Sequence, residues 1–454
     1  MSRFFDFAGR RFAVMALAIC LSTLAQAGLP VQHWVHASGA RVYLIESPGI
    51  PMVDVQIDFD AGSRRDPRDK VGLSGVTAGM ASKGVEADGA LPALDENALS
   101  EAWADLGASF GASSGNDRMS FQFRSVTLDD LLPRAVQLAA RQLGQPVFPA
   151  DVWRRERERL VASIRESNTR PATIAARAFS TAVYGQHPYG FEMTEASLAP
   201  ITVDDMRQLY RKLIVPCRAR VSVVGAVTRA QAEQLLSTLL SRLPAAPASA
   251  ACEVLPAVAE VSALTVASEQ RLAFDAAQAQ VLLGQPGIRR NDPDFFAITV
   301  GNYILGGGGF VSRLNEEVRQ KRGLSYSVYS YFSPGLHAGA FTVGLQTRPD
   351  QAGQAIGVVR EVLQKFVQDG PTATELEAAK ANLVGGFALL IDSNRKLLAN
   401  LASIAWNDLP LDYLDHWTRR VEAVSLEDIR GAFARHLQPQ RMVTVLVGAR
   451  DATN

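Results

Sequence analysis

The side chains that could bind a metal ion are scattered along this 454-residue sequence. A zinc site needs several nitrogen, sulfur or oxygen donors that converge on one point. His33 and His36 form a His-x-x-His pattern, but on a strand they would point to opposite faces, so shared ligation is not expected. His187 is expected to be a hydrogen-bonded structural residue. The other histidines are isolated, and no metal site is predicted there: His337, His416 and His436.

Arg319 and Tyr326, seven residues apart, are residue types that can stabilise developing negative charge. A guanidinium can donate two hydrogen bonds to a peptide carbonyl, and a tyrosine hydroxyl can donate one to an oxyanion. The alternative is structural: the charged run from Glu316 to Arg322 would be a solvated helix face, and Tyr326 would begin a half-buried strand.

A run of four glycines has the composition of a phosphate-binding loop but not its sequence. The run consists of Gly306, Gly307, Gly308 and Gly309. It lacks the following Gly-Lys-Ser/Thr and the spacing of a dinucleotide site, so nucleotide binding is not predicted. A plain turn between two helices is one interpretation of this run.

Composition predicts large hydrophobic cores and at least two domains. Hydrophobic residues make up 47% and charged residues 20% of a chain that is too long for one compact domain. Basic and acidic residues both number 46, and no long basic run is present, so nucleic-acid binding is not expected.

The N-terminus has the pattern of a secretory signal peptide. Arg10 and Arg11 precede the apolar run Phe12 to Leu24, and Ala25-Gln26-Ala27 has the small residues that signal peptidase accepts. We predict that residues 1–27 are removed, that the mature protein is periplasmic, and that no stable membrane anchor remains. An uncleaved anchor is the alternative, but the apolar run is shorter than the roughly 20 residues that span a bilayer.

Cys217 and Cys252 are the cysteines of the predicted mature chain. An oxidising compartment permits a disulfide between them, and two free buried thiols are the alternative. Sequence cannot supply the Cα separation that would decide between the two.

An internal repeat organises the chain. Residues 201–207 and 424–430 are similar, and both are typical of a helix start with a Ser or Thr N-cap followed by acidic residues. In each copy a proline, Pro216 or Pro439, lies fourteen residues after the cap and precedes an apolar strand. This shared spacing predicts a duplicated unit.

Each repeat combines strands with longer amphipathic helices. The segment Val53 to Phe59 alternates apolar and polar residues, which predicts a strand with one buried and one solvated face. Residues 131–143 and 358–366 have helical spacing. Because strands and helices do not alternate regularly, we predict an α+β fold with two tandem domains, each a mixed, largely antiparallel sheet packed with helices.

The domain boundary is predicted from composition. Residues 243–262 are rich in alanine and proline with few charges, as expected of a linker. The predicted organisation is a signal peptide at 1–27, an N-terminal domain at 28–242, this linker, and a C-terminal domain at 263–454.

Beyond these patterns, the sequence resembles the pitrilysin/insulinase family of zinc metallopeptidases, in its short branch similar to the mitochondrial processing peptidase. The segments Leu305–Leu314 and Arg319–Val328 resemble the family's second-domain signature, and Tyr184–Gly190 and Leu409–Tyr413 are supporting matches. The similarity covers essentially all of the predicted mature chain. It implies two homologous domains that form a clamshell.

The resemblance also implies a zinc motif that this chain lacks. Active members carry an inverted His-x-x-Glu-His after a strand, a Gly-Ser-Arg turn and a Gly-Leu pair. That frame is present here, but Gly75, Ala78 and Gly79 occupy the positions of the two histidines and the glutamate. None of them has a donor atom, so no metal and no cofactor is expected on this chain.

The family's remaining zinc ligand is a glutamate on a helix before a proline. By resemblance this position maps to Ser163, eight residues before Pro171, although a small shift would select Glu158 or Glu166. A single carboxylate would not make a zinc site.

The glycines at the lost motif carry a second expectation. Gly72, Gly75 and Gly79 would share one helix face, where each costs roughly 1 kcal/mol relative to alanine. Either another element packs close to this face, or the helix has decayed without its metal.

In the second domain, the resemblance implies an active-site arginine and tyrosine seven residues apart, and Arg319 and Tyr326 match that spacing. Arg322 is a weaker candidate because its spacing does not match.

The four glycines of the run Gly306–Gly309 are expected to line the chamber between the domains and contact an extended peptide. In two-chain members of the branch, one subunit carries the metal and the other carries this pair. This sequence resembles the subunit that carries the arginine and the tyrosine but not the metal.

Three functions are therefore considered. The first is a zinc-less subunit of a heteromeric periplasmic metallopeptidase, which supplies Arg319, Tyr326 and half of a peptide-binding chamber to a zinc-bearing paralogous subunit. The second is a catalytically inert scaffold or peptide-binding protein with the same fold. The third, a peptidase that uses other metal ligands, is disfavoured because the sequence offers no clustered donors.

Overall fold

The computed structural model describes residues 29–244 and 252–448. The predicted signal peptide at 1–27 lies outside these described residues. Within them, no helix combines the length and the apolar character that crossing a bilayer requires.

The strands of the N-terminal half form a six-stranded sheet and a small two-stranded one. Their bounds are β1 Gln32–Val35, β2 Arg41–Glu46, β3 Met52–Phe59, β4 Gly84–Val85, β5 Leu94–Asp95, β6 Ser109–Ser114, β7 Met119–Val126 and β8 Arg220–Gly225. The large sheet has the order β1-β2-β8-β3-β7-β6, and β4 pairs with β5. Only β2 and β8 run parallel among these described pairs. β6 is therefore an edge strand.

The C-terminal half contains a five-stranded sheet. Its strands are β9 Ser268–Leu272, β10 Ala279–Pro286, β11 Ser327–Phe332, β12 Ala340–Thr347 and β13 Val443–Val447. Their order is β11-β12-β10-β13-β9, with β9 and β13 parallel and the other pairs antiparallel. Thus β9, β13, β10, β12 and β11 take the places of β2, β8, β3, β7 and β6. The predicted duplication and the α+β class are confirmed.

The helices pack on both sheets. In the N-terminal half they are α1 Leu73–Met80, α2 Glu96–Asp105, α3 Leu132–Gly144, α4 Ala150–Ser167, α5 Pro171–Tyr184, α6 Glu195–Leu198, α7 Val203–Leu213 and α8 Arg229–Leu239. In the C-terminal half they are α9 Phe295–Asn302, α10 Ala352–Asp369, α11 Ala373–Gly386, α12 Asn394–Trp406, α13 Tyr413–Ala423 and α14 Leu426–His436. The helices predicted from spacing at 131–143 and 358–366 are confirmed as α3 and α10.

The repeated helix starts form the same cap in both halves. At α7 the Thr202 hydroxyl accepts a hydrogen bond from the Asp205 N–H (3.2 Å), and the Asp205 carboxylate accepts one from the Thr202 N–H (2.9 Å). Ser425 and Asp428 make the corresponding bonds at α14, at 3.1 and 2.8 Å. Each box satisfies N–H groups that the first helical turn leaves free, so this part of the repeat is encoded locally.

Each half contributes one helix to the sheet of the other half. The helix α5 packs on β10 and β13, where Phe179 and Val445 belong to one buried hydrophobic cluster. The helix α12 packs on β3 and β8, where Leu401 and Val224 belong to another buried hydrophobic cluster. Each half therefore covers an apolar sheet face of the other half with one of its helices.

Both faces of β3 are buried, so the prediction of one solvated face is wrong. Its polar residues Asp54, Gln56 and Asp58 are buried on the side that α12 covers. Asp58 accepts hydrogen bonds from Gln56 (2.9 Å) and Arg118 (2.9 Å), and burial raises the pKa of Asp58. The polar residues of β3 can be buried because neighbouring side chains, in place of water, act as their hydrogen-bond partners.

Cys217 and Cys252 form a disulfide, with their Cα atoms 5.8 Å apart. The alternative of two free thiols is therefore wrong. The bridge fixes residue 252 beside the turn that precedes β8, and residues 252–267 contain no helix or strand. Part of the predicted linker, residues 245–251, lies outside the described residues.

Candidate functional site

A cavity of about 540 Å³ lies beside α1, at the positions of the lost zinc motif. Gly75 and Gly79 line this α1 cavity, and a Cβ added at either one would meet no atom within 4 Å. Ala78 lies on the other side of the helix and is 2% exposed, within the domain core. The expectation of an element packed closely on Gly75 and Gly79 is therefore wrong, because this face opens into the cavity.

The start of α1 is fixed by Asp66. The Asp66 carboxylate accepts hydrogen bonds from the N–H groups of Gly72 and Ser74, both at 2.9 Å. Gly72 precedes the helix with φ 104°, a conformation that favours glycine, so it does not share the helical face of the other two glycines. This cap explains why α1 persists without metal ligands: its free N–H groups have an acceptor.

The opposite wall of the α1 cavity comes from α4. Trp153, Glu156 and Leu160 line it at positions i, i+3 and i+7 of that helix. Ser163, the predicted equivalent of the third zinc ligand, is exposed and does not line the cavity. Glu156 is thus the carboxylate that faces the lost motif, and the helical spacing from Trp153 was the signal that could have identified it.

Glu156 is paired with three cations. Its carboxylate lies 2.8 Å from Arg159 Nη2, 3.5 Å from Lys83 Nζ and 3.9 Å from Arg155 Nη2. The hydrogen bond from Arg159, aided by Lys83, lowers the pKa of Glu156. The cavity therefore holds an ionised carboxylate that protein cations already neutralise.

The residues of the α1 cavity do not fit a zinc ion. Glu156 is the one carboxylate among its described lining residues, which include no histidine or cysteine. Elsewhere in the described chain, the one grouping of three donors close enough for an ion is Asp292, Asp294 and His436. There Asp294 is already bound by Arg435 and His436, each at 2.8 Å. These groups are satisfied by protein partners.

The N-terminal histidines have structural partners. The ring of His33 lies 4.5 Å from that of Tyr43, and His36 Nε2 lies 3.0 Å from the Ser237 hydroxyl. His187 is buried, and its Nδ1 accepts a hydrogen bond from the backbone two residues on (3.1 Å). The structural role predicted for His187 is thus consistent with its contacts.

On the C-terminal half, Arg319 lies between two aromatic rings. Its Cζ is 4.6 Å from the centre of the Phe310 ring and 4.7 Å from that of Tyr326. Phe310 is 65% exposed and Tyr326 is 80% exposed. Stacking of this kind orients a guanidinium and leaves its N–H groups free for a further partner.

Arg319 differs from its neighbours in charge pairing. Arg322 pairs with Glu317 at 2.5 Å, and Lys321 pairs with Glu316 at 2.9 Å. No acidic partner of Arg319 is found among the described residues. A half-buried, oriented and unpaired guanidinium beside exposed aromatic rings can bind a carbonyl or carboxylate group of a ligand.

The first two glycines of the run at 306–309 are closely packed. A Cβ at Gly306 would lie 2.6 Å from the backbone nitrogen of Ser330. One at Gly307 would lie 2.8 Å from the side-chain nitrogen of Asn302 and 3.2 Å from the carbonyl oxygen of that residue. The protein's own backbone and side chains therefore require small residues at Gly306 and Gly307, without any ligand.

The last two glycines of the run differ from each other. A Cβ at Gly308 would lie 2.7 Å from the carbonyl oxygen of Tyr303, so packing accounts for this residue too. Gly309 has open space around it and φ 64°, a conformation that favours glycine. Gly306 and Gly307 thus end a closely packed π-helical segment, Tyr303–Gly307. Contact with a peptide stays a prediction for all four glycines.

The structure does not bring the two predicted sites into one cavity. All described residues that line the α1 cavity belong to the N-terminal half. Gly75, Ala78 and Gly79 thus form one group, and Arg319 and Tyr326 form another.

Comparisons with known proteins also divide the chain into an N-terminal and a C-terminal part. The family model for Insulinase (Peptidase family M16) matches residues 41–196, and the model for the Peptidase M16 inactive domain matches residues 200–383. A crystal structure of a peptidase M16 inactive domain from Pseudomonas fluorescens is 32% identical, with a TM-score of 0.86, and the match covers 93% of this chain and 99% of that chain.

Two curated relatives are similar over nearly their full length. The uncharacterized zinc protease YmxG of Bacillus subtilis is 25% identical over 423 residues, which cover 92% of this chain and 98% of the relative. The non-peptidase homolog YmxG of Helicobacter pylori is 24% identical over 431 residues, covering 93% and 95%. The chain therefore belongs to the insulinase family, peptidase family M16, and it lacks the inverted zinc motif.

Proposed function

We propose that this protein is the zinc-less subunit of a heteromeric metallopeptidase. It supplies Arg319, Tyr326 and half of a peptide-binding chamber to a zinc-bearing paralogous subunit. The observation that carries this proposal is the unpaired Arg319, held between Phe310 and Tyr326 at an exposed surface. A protein with only a scaffolding role would have no need for an oriented guanidinium without an acidic partner.

The proposed chemistry of this pair is electrostatic. Arg319 donates hydrogen bonds to a carbonyl of the bound peptide, and the Tyr326 hydroxyl donates one to the oxygen that gains negative charge. The metal belongs to the partner subunit in this proposal, because the described residues that line the α1 cavity do not include enough ligands for it.

We also propose that the protein works in the periplasm. The charged and apolar pattern of residues 1–27 supports export. The disulfide between Cys217 and Cys252 supports it independently, because such bonds persist in oxidising compartments.

The test combines the mature chain with its most similar paralogue from the same cell that retains His-x-x-Glu-His. Hydrolysis of a fluorogenic peptide library is measured for each chain and for the mixture. We expect activity in the mixture to exceed that of either chain. Arg319→Ala and Tyr326→Phe should lower kcat by roughly 10²-fold, the effect of removing one donor to the oxyanion.

Arg322→Ala is the matched control, since Arg322 has the same charge and lies on the same segment but is paired with Glu317. Its complex should hydrolyse peptides at the wild-type rate. Complexes of Arg319→Ala and Tyr326→Phe that form normally and retain wild-type rates would contradict the proposal.

The second candidate function is peptide binding without catalysis. The open cavity over Gly75 and Gly79 favours it, because the space remains although the metal ligands are absent. Complex formation with no gain in hydrolysis would support this candidate over the first.

A further inference from the structure

A cavity of about 430 Å³ lies between α5 and the C-terminal sheet. Its walls include Tyr184, Tyr329 and Tyr331, and we call it the tyrosine cleft. Its volume is within the range of roughly 300–1,000 Å³ that small-molecule sites occupy. Neither Arg319 nor Tyr326 lines this cleft, so what it binds does not depend on the proposed peptidase function.

Tyr329 and Tyr331 form an aromatic platform on β11. They are two residues apart on one strand and therefore share a face. Their ring centres are 5.9 Å apart with the planes at 21°, and each residue is 44% exposed. Tyr329 lies over Gly344 of β12, where an added Cβ would be 2.5 Å from the ring. The glycine thus allows this ring to lie against the sheet while much of the platform stays accessible.

The polar side chains beside the platform are uncharged and unpaired. Ser327, Gln346 and Gln280 form a row across β11, β12 and β10, because they are partners in the strand register. No hydrogen bond of these three side chains to another described residue is found. On the α5 side, the Tyr184 hydroxyl accepts a hydrogen bond from the N–H of Ala340 (2.8 Å), which leaves its own proton to donate.

The described residues that line the tyrosine cleft include no charged side chain. A charged ligand would therefore lose hydration there without gaining an ionic partner. The backbone offers little to a peptide on this face, because β10 and β12 each pair with strands on both sides and their N–H and C=O groups lie in the plane of the sheet. Binding on this face thus depends on hydroxyl, amide and aromatic side chains.

We propose that the tyrosine cleft binds a neutral saccharide. The C–H groups on the face of a sugar ring pack against aromatic rings by dispersion, and Tyr329 and Tyr331 supply that surface. Sugar hydroxyls both donate and accept hydrogen bonds, as do the side chains of Gln280, Gln346 and Tyr184. The absence of charge among the described lining residues matches a ligand that carries none.

The experiment measures binding of maltose, cellobiose and N,N′-diacetylchitobiose to the mature chain by isothermal titration calorimetry and saturation-transfer NMR. We expect saturable binding of at least one of these disaccharides, with the strongest transfer to its ring C–H protons. Sucrose octasulfate, a charged disaccharide, and an uncharged peptide should not displace the bound sugar.

The decisive variants are Tyr331→Ala and Gln346→Ala, because both side chains are exposed and their removal should leave the fold intact. We expect the affinity to fall roughly tenfold for Tyr331→Ala and about fivefold for Gln346→Ala. Tyr331→Phe should keep most of the affinity, since the ring remains. Tyr326→Ala is the matched control, because Tyr326 is an exposed tyrosine just before β11 that does not line the cleft.

Three results would overturn the inference: no saturable binding of any of the three disaccharides, wild-type affinity in folded Tyr331→Ala and Gln346→Ala, or displacement of the sugar by the uncharged peptide. Peptide hydrolysis is not measured in this experiment. The saccharide site and the composite catalytic site can therefore fail separately.

Discussion

At the residue scale, α1 remains a helix although Gly75, Ala78 and Gly79 stand where active members of the family carry two histidines and a glutamate. Gly75 and Gly79 remove nitrogen ligands without disturbing the backbone, because Asp66 still caps the helix. Glu156 remains across the cavity, but its charge is balanced by protein cations. This face of α1 therefore borders an open cavity and does not form a metal site.

This arrangement predicts that the chain holds no zinc. Purified in buffer without chelator, it should contain far less than one zinc ion per chain by elemental analysis, and EDTA should leave its Tm unchanged. The double variant Gly75→His/Gly79→His serves as a comparison, because it restores two ligands opposite Glu156 and should acquire zinc. Stoichiometric zinc in the wild-type protein would contradict this prediction.

At the element scale, one ion pair anchors the segment that carries Arg319. The carboxylate of Glu375 accepts hydrogen bonds from Arg313 Nε (2.6 Å) and Nη2 (2.7 Å), and also caps α11 through the N–H of Thr372 (2.7 Å). Burial alone would raise the pKa of Glu375, but the hydrogen bonds from Arg313 and Thr372 outweigh it and lower that pKa to about 2.

The lowered pKa predicts a pH-dependent contribution to stability. Because the folded-state pKa lies below the ordinary value of 4.5, the contribution is present above about pH 4.5 and is lost as the pH falls towards 2. Glu375→Gln should lower the free energy of unfolding by about 1–2 kcal/mol at pH 7, after allowance for partial exposure. The difference from wild type should shrink by pH 3 in urea titrations.

The exposed pair of Arg348 and Asp350 provides the control. Asp350→Asn should leave the free energy of unfolding unchanged at both pH values, because solvent screens that pair. A Glu375→Gln effect that is equal at pH 7 and pH 3 would show that the cost is steric and not ionic.

At the scale of the whole molecule, the exchange of α5 and α12 makes each half depend on the other. Arg220 strengthens this dependence by donating to the carbonyl of Trp406 at the end of α12 (2.8 Å) and pairing with Asp408 (2.9 Å). Its guanidinium also lies 5.5 Å from the Trp406 ring. The sheet of one half therefore holds the end of a helix from the other.

This reciprocity predicts one cooperative unfolding unit. Residues 28–250 and 251–454, produced separately, should fail to unfold cooperatively, because each exposes the apolar face that the other half's helix covers. Calorimetry and circular dichroism would measure this, with the mixed halves as the control for reconstitution. A sharp thermal transition in either isolated half would contradict the prediction.

Local features of the sequence determined much of the architecture. The boxes at Thr202 and Ser425, the periodicity of α3 and α10, and the repeated spacing between cap and strand all depend on residues close in sequence. Hydrogen bonds at helix ends and the 3.6-residue period act at that range, so pattern alone was sufficient. The absence of donors at Gly75 and Gly79 was equally plain from residue type.

Tertiary structure alone decided the features that join distant segments. The sequence pointed to Ser163, but α4 presents Glu156 to the cavity beside α1, and the alternation of β3 predicted a solvated face that α12 covers. That Arg319 has no acidic partner among the residues that the structure describes likewise became visible only once its neighbours were placed. Burial and charge pairing are set by residues far apart in the chain, and no local pattern specifies which of them meet.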